Sequence, residues 1–210
     1  MQLADNLIVV CFVVRHGRTV LNATKKFRGS ANPPLDEQGI KEAHNLAHLF
    51  SNIDISCIFC SDKQRAVKTA ETIAAVKHLP VSISKSLRAL DVGNFSAKPR
   101  NAESEAELQK YLDSPETQIP GGESLNDFKA RIQPCLVEAV HIFEECGCPP
   151  MIVAHSSVVH ECGAMLYGDH KSILVDPGGV IALYFKDGKL EAKPIFKPVT
   201  SRQSQSGTIT

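Results

Sequence analysis

The feature that most limits what this chain can fold into is an alternation: short β-branched apolar runs are separated by longer segments whose apolar residues recur every three or four positions. Strands that alternate with helices join side by side through crossover connections, and the result is a sheet covered by helices. The expected fold is therefore α/β, a three-layer sandwich with a mostly parallel central sheet and helices on both faces.

The runs can be placed in order. Ile8-Val-Val-Cys-Phe-Val-Val14 is apolar throughout, as suits a central strand buried on both faces. Asp36 to Phe50 sets Ile40, Ala43, Ala47 and Phe50 on one helical face. Ile55 to Cys60 reads as a second strand, Ser61-Asp62 as a cap for the helix carrying Ala66, Thr69, Ala70, Ile73 and Ala74, and Val81 to Ser84 as a third strand. Residues 91–120 lose the pattern at Gly93, Pro99, Pro115 and Pro120 and read as an insertion over one end of the sheet. A long helix starts at Glu123 or Ser124 and reaches about Glu145; Met151 to Ala154 is a strand and Val158 to Leu166 a helix. Val180 to Phe185 then turns at Asp187-Gly188 into Leu190 to Phe196 as a hairpin. One domain over 1–197 and a disordered polar tail over 198–210 are the expected organisation.

Composition removes several functions. The chain has 23 Lys plus Arg against 23 Asp plus Glu, a net charge of zero, and no run of five or six like charges. Nucleic-acid binders carry a clustered basic excess, so neither nucleic acid nor a membrane surface is expected as a partner. The longest apolar run, Leu7 to Val14, has eight residues, too few to span a bilayer, and Met1 to Asn6 lacks the basic start of a secretory signal. Seven cysteines without zinc spacing read as free thiols in a cytoplasmic setting. Cys57-x-x-Cys60 has redox spacing, but residues three apart in a strand point to opposite faces, which favours packing.

Open α/β sheets bind ligands beyond the carboxyl ends of their strands. Arg15-His16-Gly17-Arg18-Thr19 follows the first strand, Ser61-Asp62-Lys63-Gln64-Arg65 the second, and His155-Ser156-Ser157 the strand from Met151. Histidines and arginines thus converge on one rim. Phosphoryl transfer needs a nucleophile and strong stabilisation of three equatorial oxygens, which guanidinium forks provide while staying charged at working pH. A neutral imidazole can attack phosphorus and be released by water. No carboxylate cluster for magnesium and no phosphate-binding glycine loop is present in the sequence, so no metal or cofactor is expected.

The motifs resemble the histidine phosphatase superfamily, the phosphoglycerate mutase-like proteins. Arg15-His16-Gly17-x-Thr19-x-x-Asn22 is similar to its opening signature, and Phe27-Arg28-Gly29 with Pro34-Leu35-Asp36-x-x-Gly39 to the segment that follows. Ser61-x-x-x-Arg65-Ala66-x-x-Thr69-Ala70, Pro120-Gly-Gly-Glu-Ser124 and Ile152-Val-Ala-His155 complete the order. The resemblance implies that His16 is the phosphorylated nucleophile and that Arg15, Arg65 and His155 form the phosphate pocket, with Asn22 and the backbone near Gly29 lining it. Arg18 and Arg28 are candidate substrate contacts, each equally readable as a solvated surface charge. Glu123 is a further candidate, more simply read as stabilising the start of its helix.

One departure stands out. The family places an acid glutamate in a Leu-x-Glu element after the third strand, and here Leu87-Arg88-Ala89 puts alanine at that position. Losing the acid costs about 10²–10⁴ in rate for a poor leaving group. Either Asp91 substitutes, being two residues on and so on the same face of an extended segment, or the acid is gone and Asp91 only forms a turn near Gly93. The expected function is a metal-independent phosphomonoester hydrolase acting on a small phosphorylated substrate. The alternatives are a phosphate-binding module with weak turnover and, less favoured, a phosphoglycerate-type mutase; a homodimer is left open.

Overall fold

The computed structural model describes residues 7–27, 29–168 and 173–198. Its sheet has six strands: β1 (Ile8–Arg15), β2 (Ile58–Ser61), β3 (Val81–Ser84), β4 (Met151–Ala154), β5 (Val180–Lys186) and β6 (Lys189–Phe196), in spatial order β3-β2-β4-β1-β5-β6. The pairs β3–β2, β2–β4 and β4–β1 are parallel, whereas β5 is antiparallel to both β1 and β6. The sheet is therefore mixed, with one reversed strand introduced by the hairpin whose turn residues Asp187 and Gly188 have φ of 50° and 74°.

Side chains of a strand alternate between faces, and β1 divides accordingly. Phe12 and Val14 pack with Leu46, Phe50, Ala70 and Ile73 from α2 (Glu37–Phe50) and α3 (Gln64–Lys77). Val13 packs on the other face with Phe128, Ile132 and Val159 from α5 (Leu125–Cys146) and α6 (Ser156–Tyr167). Each large aliphatic or aromatic side chain buried this way contributes about 1.5–3 kcal/mol, which makes the two layers mutually dependent on the sheet.

The helix starts show why the elements fall where they do. Asp36 caps α2 by accepting from Gly39 N at 2.8 Å, and Ser124 caps α5 by accepting from Asp127 N at 3.0 Å. The expected Ser61-Asp62 cap does not form: Lys63 is the N-cap of α3, without a side-chain cap, and Asp62 is drawn off into an ion pair with Arg88. The second strand starts at Ile58, three residues later than expected, so Cys57 precedes it. The segment 91–120 contains an 11-residue helix, α4 (Ala102–Leu112), whose polar surface hid its periodicity; Leu108 alone within it is buried. A short helix, α1 (Val20–Ala23), follows the end of β1. The tail from 199 onward and Arg28 lie outside the described residues. No helix among the described residues is long and apolar enough to cross a membrane.

Candidate active site

The parallel strands deliver their last residues to one rim. His16, immediately after β1, donates its backbone N–H to Ala154 O at 3.0 Å, tying it to the end of β4, where His155 begins α6 as its N-cap. Gly17 follows where backbones nearly touch: a Cβ on Gly17 would lie 2.5 Å from Gly39 O, and one on Gly39 would lie 2.0 Å from Arg18 O. Only glycine allows the start of α2 to press against the loop after β1. Gly17 N also donates to Thr69 Oγ1 at 3.1 Å, which links the loop to α3.

His16, Arg65 and His155 are all fully buried and meet one another. His16 Nδ1 lies 2.6 Å from Gly17 O. A carbonyl accepts only, so the ring carries its proton on Nδ1 and presents the lone pair of Nε2. Arg65 Nε donates to that Nε2 at 3.1 Å, while Arg65 Nη2 lies 3.3 Å from His155 Nδ1 and Nη1 donates to Ala31 O at 3.0 Å. His155 Nε2 is 2.9 Å from Ser61 Oγ, and the two imidazoles cross edge to face at 5.1 Å. One guanidinium therefore bridges both histidines.

Arg15 completes the cationic set. Its Nη1 donates to Val175 O at 2.6 Å, whereas Nε is buried and finds no partner among the described residues. A buried donor of this kind is rare and marks a place for an anion. Burial pushes the Arg15 and Arg65 guanidinium groups down to about 10, still far above neutrality, so both stay charged. The first turns of α3 and α6 open on the same place and add the positive ends of their dipoles.

Beside this cluster lies a cavity of about 560 Å³ lined by Arg15, Asn22 and Gly29, by Lys25, Arg100 and Glu105, and by Ser156, Ser157 and His160. Its apolar side comes from Phe27, Leu90, Leu108 and neighbours, so the α4 segment forms part of the wall. Asn22 reaches it while its Oδ1 accepts from Thr19 N at 3.1 Å. Lys25 and His160 were not singled out from the sequence. Arg100 and Glu105 belong to the irregular insertion, and His160 sits three residues after Ser157, a spacing on α6 that could have flagged it.

Three expected contacts are seated elsewhere. Arg18 pairs with Asp36 at 2.9 Å and does not line the cavity. Asp91 Oδ1 accepts from Gly93 N at 3.1 Å, the turn-forming arrangement, and the residue faces a smaller cleft with Lys63, Lys85 and Arg88 rather than the cavity of Arg15. Glu123 is held by Arg131, with Nε to Oε2 at 2.8 Å and Nη2 to Oε1 at 2.6 Å, and accepts from Asp91 N at 2.8 Å.

Arg131 is the structural residue that sequence reasoning missed. Beyond its two bonds to Glu123 it donates to the carbonyls of Ser86, Arg88 and Ala89 at 2.7, 2.8 and 2.8 Å. All five guanidinium donors are thus used. They fix the segment carrying Ala89 against α5, with the Ala89 side chain lining the rim.

Comparison with known proteins gives the family and the fold. A family model described as histidine phosphatase superfamily (branch 1) matches residues 11–193. A curated relative named a probable phosphoglycerate mutase, from Yersinia pestis (strain Pestoides F), is 31% identical over 148 residues, covering 69% of this chain and 68% of its own. Among solved structures, the mycobacterial glucosyl-3-phosphoglycerate phosphatase superimposes with a TM-score of 0.73 at 22% identity, over 90% of this chain and 99% of that one. The phosphoglycerate mutase from Bacillus anthracis str. Sterne gives 0.74 at 23% identity, over 90% and 93%. The alpha-ribazole phosphatase from Shigella flexneri gives 0.71 at 24%, over 88% and 94%. At these identities the structural likenesses carry the fold.

Proposed function

The chain belongs to the histidine phosphatase superfamily (branch 1), and from that premise we propose that it hydrolyses phosphomonoesters through a phosphohistidine on His16. The observation that carries this reading is the 2.6 Å contact of His16 Nδ1 with Gly17 O, which leaves Nε2 as the nucleophilic atom. In the structure Arg65 Nε holds that lone pair. A bound phosphoryl group offers better acceptors, so the guanidinium N–H groups of Arg65 and Arg15 turn to its oxygens and Nε2 is released for in-line attack. The N–P bond forms as the ester P–O bond breaks, and the leaving oxygen takes its proton from solvent as the alcohol departs. Water then attacks phosphorus, the N–P bond breaks, and inorganic phosphate leaves with His16 restored. No metal is required, because the guanidinium groups neutralise the charge.

The proton for the leaving group is the weak point. Ala89 stands where the family places glutamate, and the Asp91 carboxylate is turned to Gly93 N in the neighbouring cleft. That arrangement favours efficient turnover of esters with good leaving groups, and supports a second reading in which the pocket binds phosphorylated molecules with slow release. p-Nitrophenyl phosphate separates the two, since its phenolate leaves without acid assistance. Wild-type protein should cleave it far faster than an alkyl phosphate, and His16→Ala should abolish that cleavage. Failure to cleave either ester favours the binding module. A mutase has to hold the product between transfers, and interconversion of 2- and 3-phosphoglycerate would favour that reading.

A further inference from the structure

The cavity of Arg15 and the smaller cleft of Asp91, about 560 and 210 Å³, have two lining residues in common, Gly29 and Ala89. Neither carries more than a methyl group. At Gly29 the backbone has φ of 48°, and a Cβ would fall 1.8 Å from Ser96 Oγ, so nothing larger can occupy that side of the joint. On the other side, the Arg131 bonds to the carbonyls of Arg88 and Ala89 hold the strip in place and keep residue 89 at the joint. A glutamate there would stand between the two cavities. Alanine puts no more than a methyl group between them.

The cleft beyond the joint is cationic. Arg88 is matched by Asp62 and Arg131 by Glu123. Lys63 and Lys85 remain, opposite the single carboxylate of Asp91, which is already engaged by Gly93 N. Lys63 donates to Ser30 O at 2.7 Å. Its ammonium is held below its usual range first by burial and then by the nearby charges of Arg88 and Arg65, which Asp62 and Asp91 oppose.

We propose that Ala89 is the specificity-determining residue of the site: it opens a passage through which the leaving group of the phosphoester runs into the smaller cleft, where Lys63 and Lys85 bind a second anionic group at its far end. The substrate class is a phosphomonoester whose alcohol ends in a carboxylate or a second phosphate, long enough to cross the joint. This rests on the hydrolase reading above.

The test compares aryl phosphates bearing a carboxyalkyl or phosphonoalkyl tail with uncharged alkyl-tailed esters of equal length, over a series of tail lengths. Aryl esters avoid the missing acid. At one tail length or more, kcat/KM should favour an anionic tail by about tenfold or more. That ratio should fall toward one in Lys63→Gln/Lys85→Gln, and again in Ala89→Leu, which fills the joint. The carboxylate and phosphonate arms show which anion is read. Equal kcat/KM for charged and uncharged tails overturns the proposal, as does a preference that persists in the double variant or one lost only in Arg100→Gln. Absence of turnover on every ester overturns the hydrolase reading instead. The distinction is visible in the data.

Discussion

At the scale of single residues, the site depends on two carbonyl contacts with opposite consequences. Gly17 O fixes the tautomer of His16 and so leaves the Nε2 lone pair that the proposed attack uses; Ala89 O, taken by Arg131, fixes a segment with alanine where the proposed chemistry wants an acid. Installing the acid should therefore be simple. Ala89→Glu should raise kcat on alkyl phosphates by about 10²-fold while leaving aryl esters little changed, as steady-state kinetics on matched esters would show. An unchanged ratio would mean that residue 89 does not face the leaving oxygen. His16, Arg15, Arg65 and His155 were legible from sequence because each sits at or just after a strand end or in the next helix turn. Of the two readings open for Asp91, the structure shows the turn-forming one, with Oδ1 accepting from Gly93 N; residues 89 and 91 do share a cleft, as a same-face argument expects, but only Ala89 also lines the cavity of Arg15. Arg131 gave no local signal. Its partners lie 8 to 45 residues away and are mostly backbone carbonyls.

At the scale of elements, β1 and β4 were legible because they are almost wholly apolar and β3 because it alternates, and the helices because their stripes face the sheet. The helix at Ala102–Leu112 was not, since one buried residue cannot make a stripe. Two interfaces decide whether the elements present the site correctly. Where α2 meets the loop after β1, Gly39→Ala would drive a Cβ into Arg18 backbone atoms; the expected cost is about 1–3 kcal/mol of stability, seen as a lower denaturation midpoint together with reduced kcat. Where α5 meets the Ala89 segment, Arg131→Met strands Glu123 and three carbonyls. A loss of about 2–3 kcal/mol is expected, with Arg131→Lys recovering only part of it because an ammonium cannot form the fork. Equal stability of Arg131→Met and the parent would show that the clamp does not hold this segment.

At the scale of the whole molecule, zero net charge and a cationic site coexist. A zero net charge gives no long-range pull on polyanions, while the proposed function needs the buried guanidinium groups only to hold a small anion at short range. Inorganic phosphate should therefore stabilise the fold. At a hundredfold excess over Kd the gain is about 2.7 kcal/mol, a rise in Tm of about 5–10 °C for a chain of this size, and Arg65→Gln should lose that rise. Turnover should also survive EDTA, because charge neutralisation is assigned to arginine.

The central claim is that the phosphoryl group passes through His16 Nε2. The most direct measurement is a rapid quench into alkali after mixing with a labelled aryl phosphate, followed by peptide mapping of the label. A phosphoryl group on His16 that is stable in alkali and lost in acid is expected, and none in His16→Ala. Label on another residue, or the same acid-labile label in His16→Ala, would contradict it.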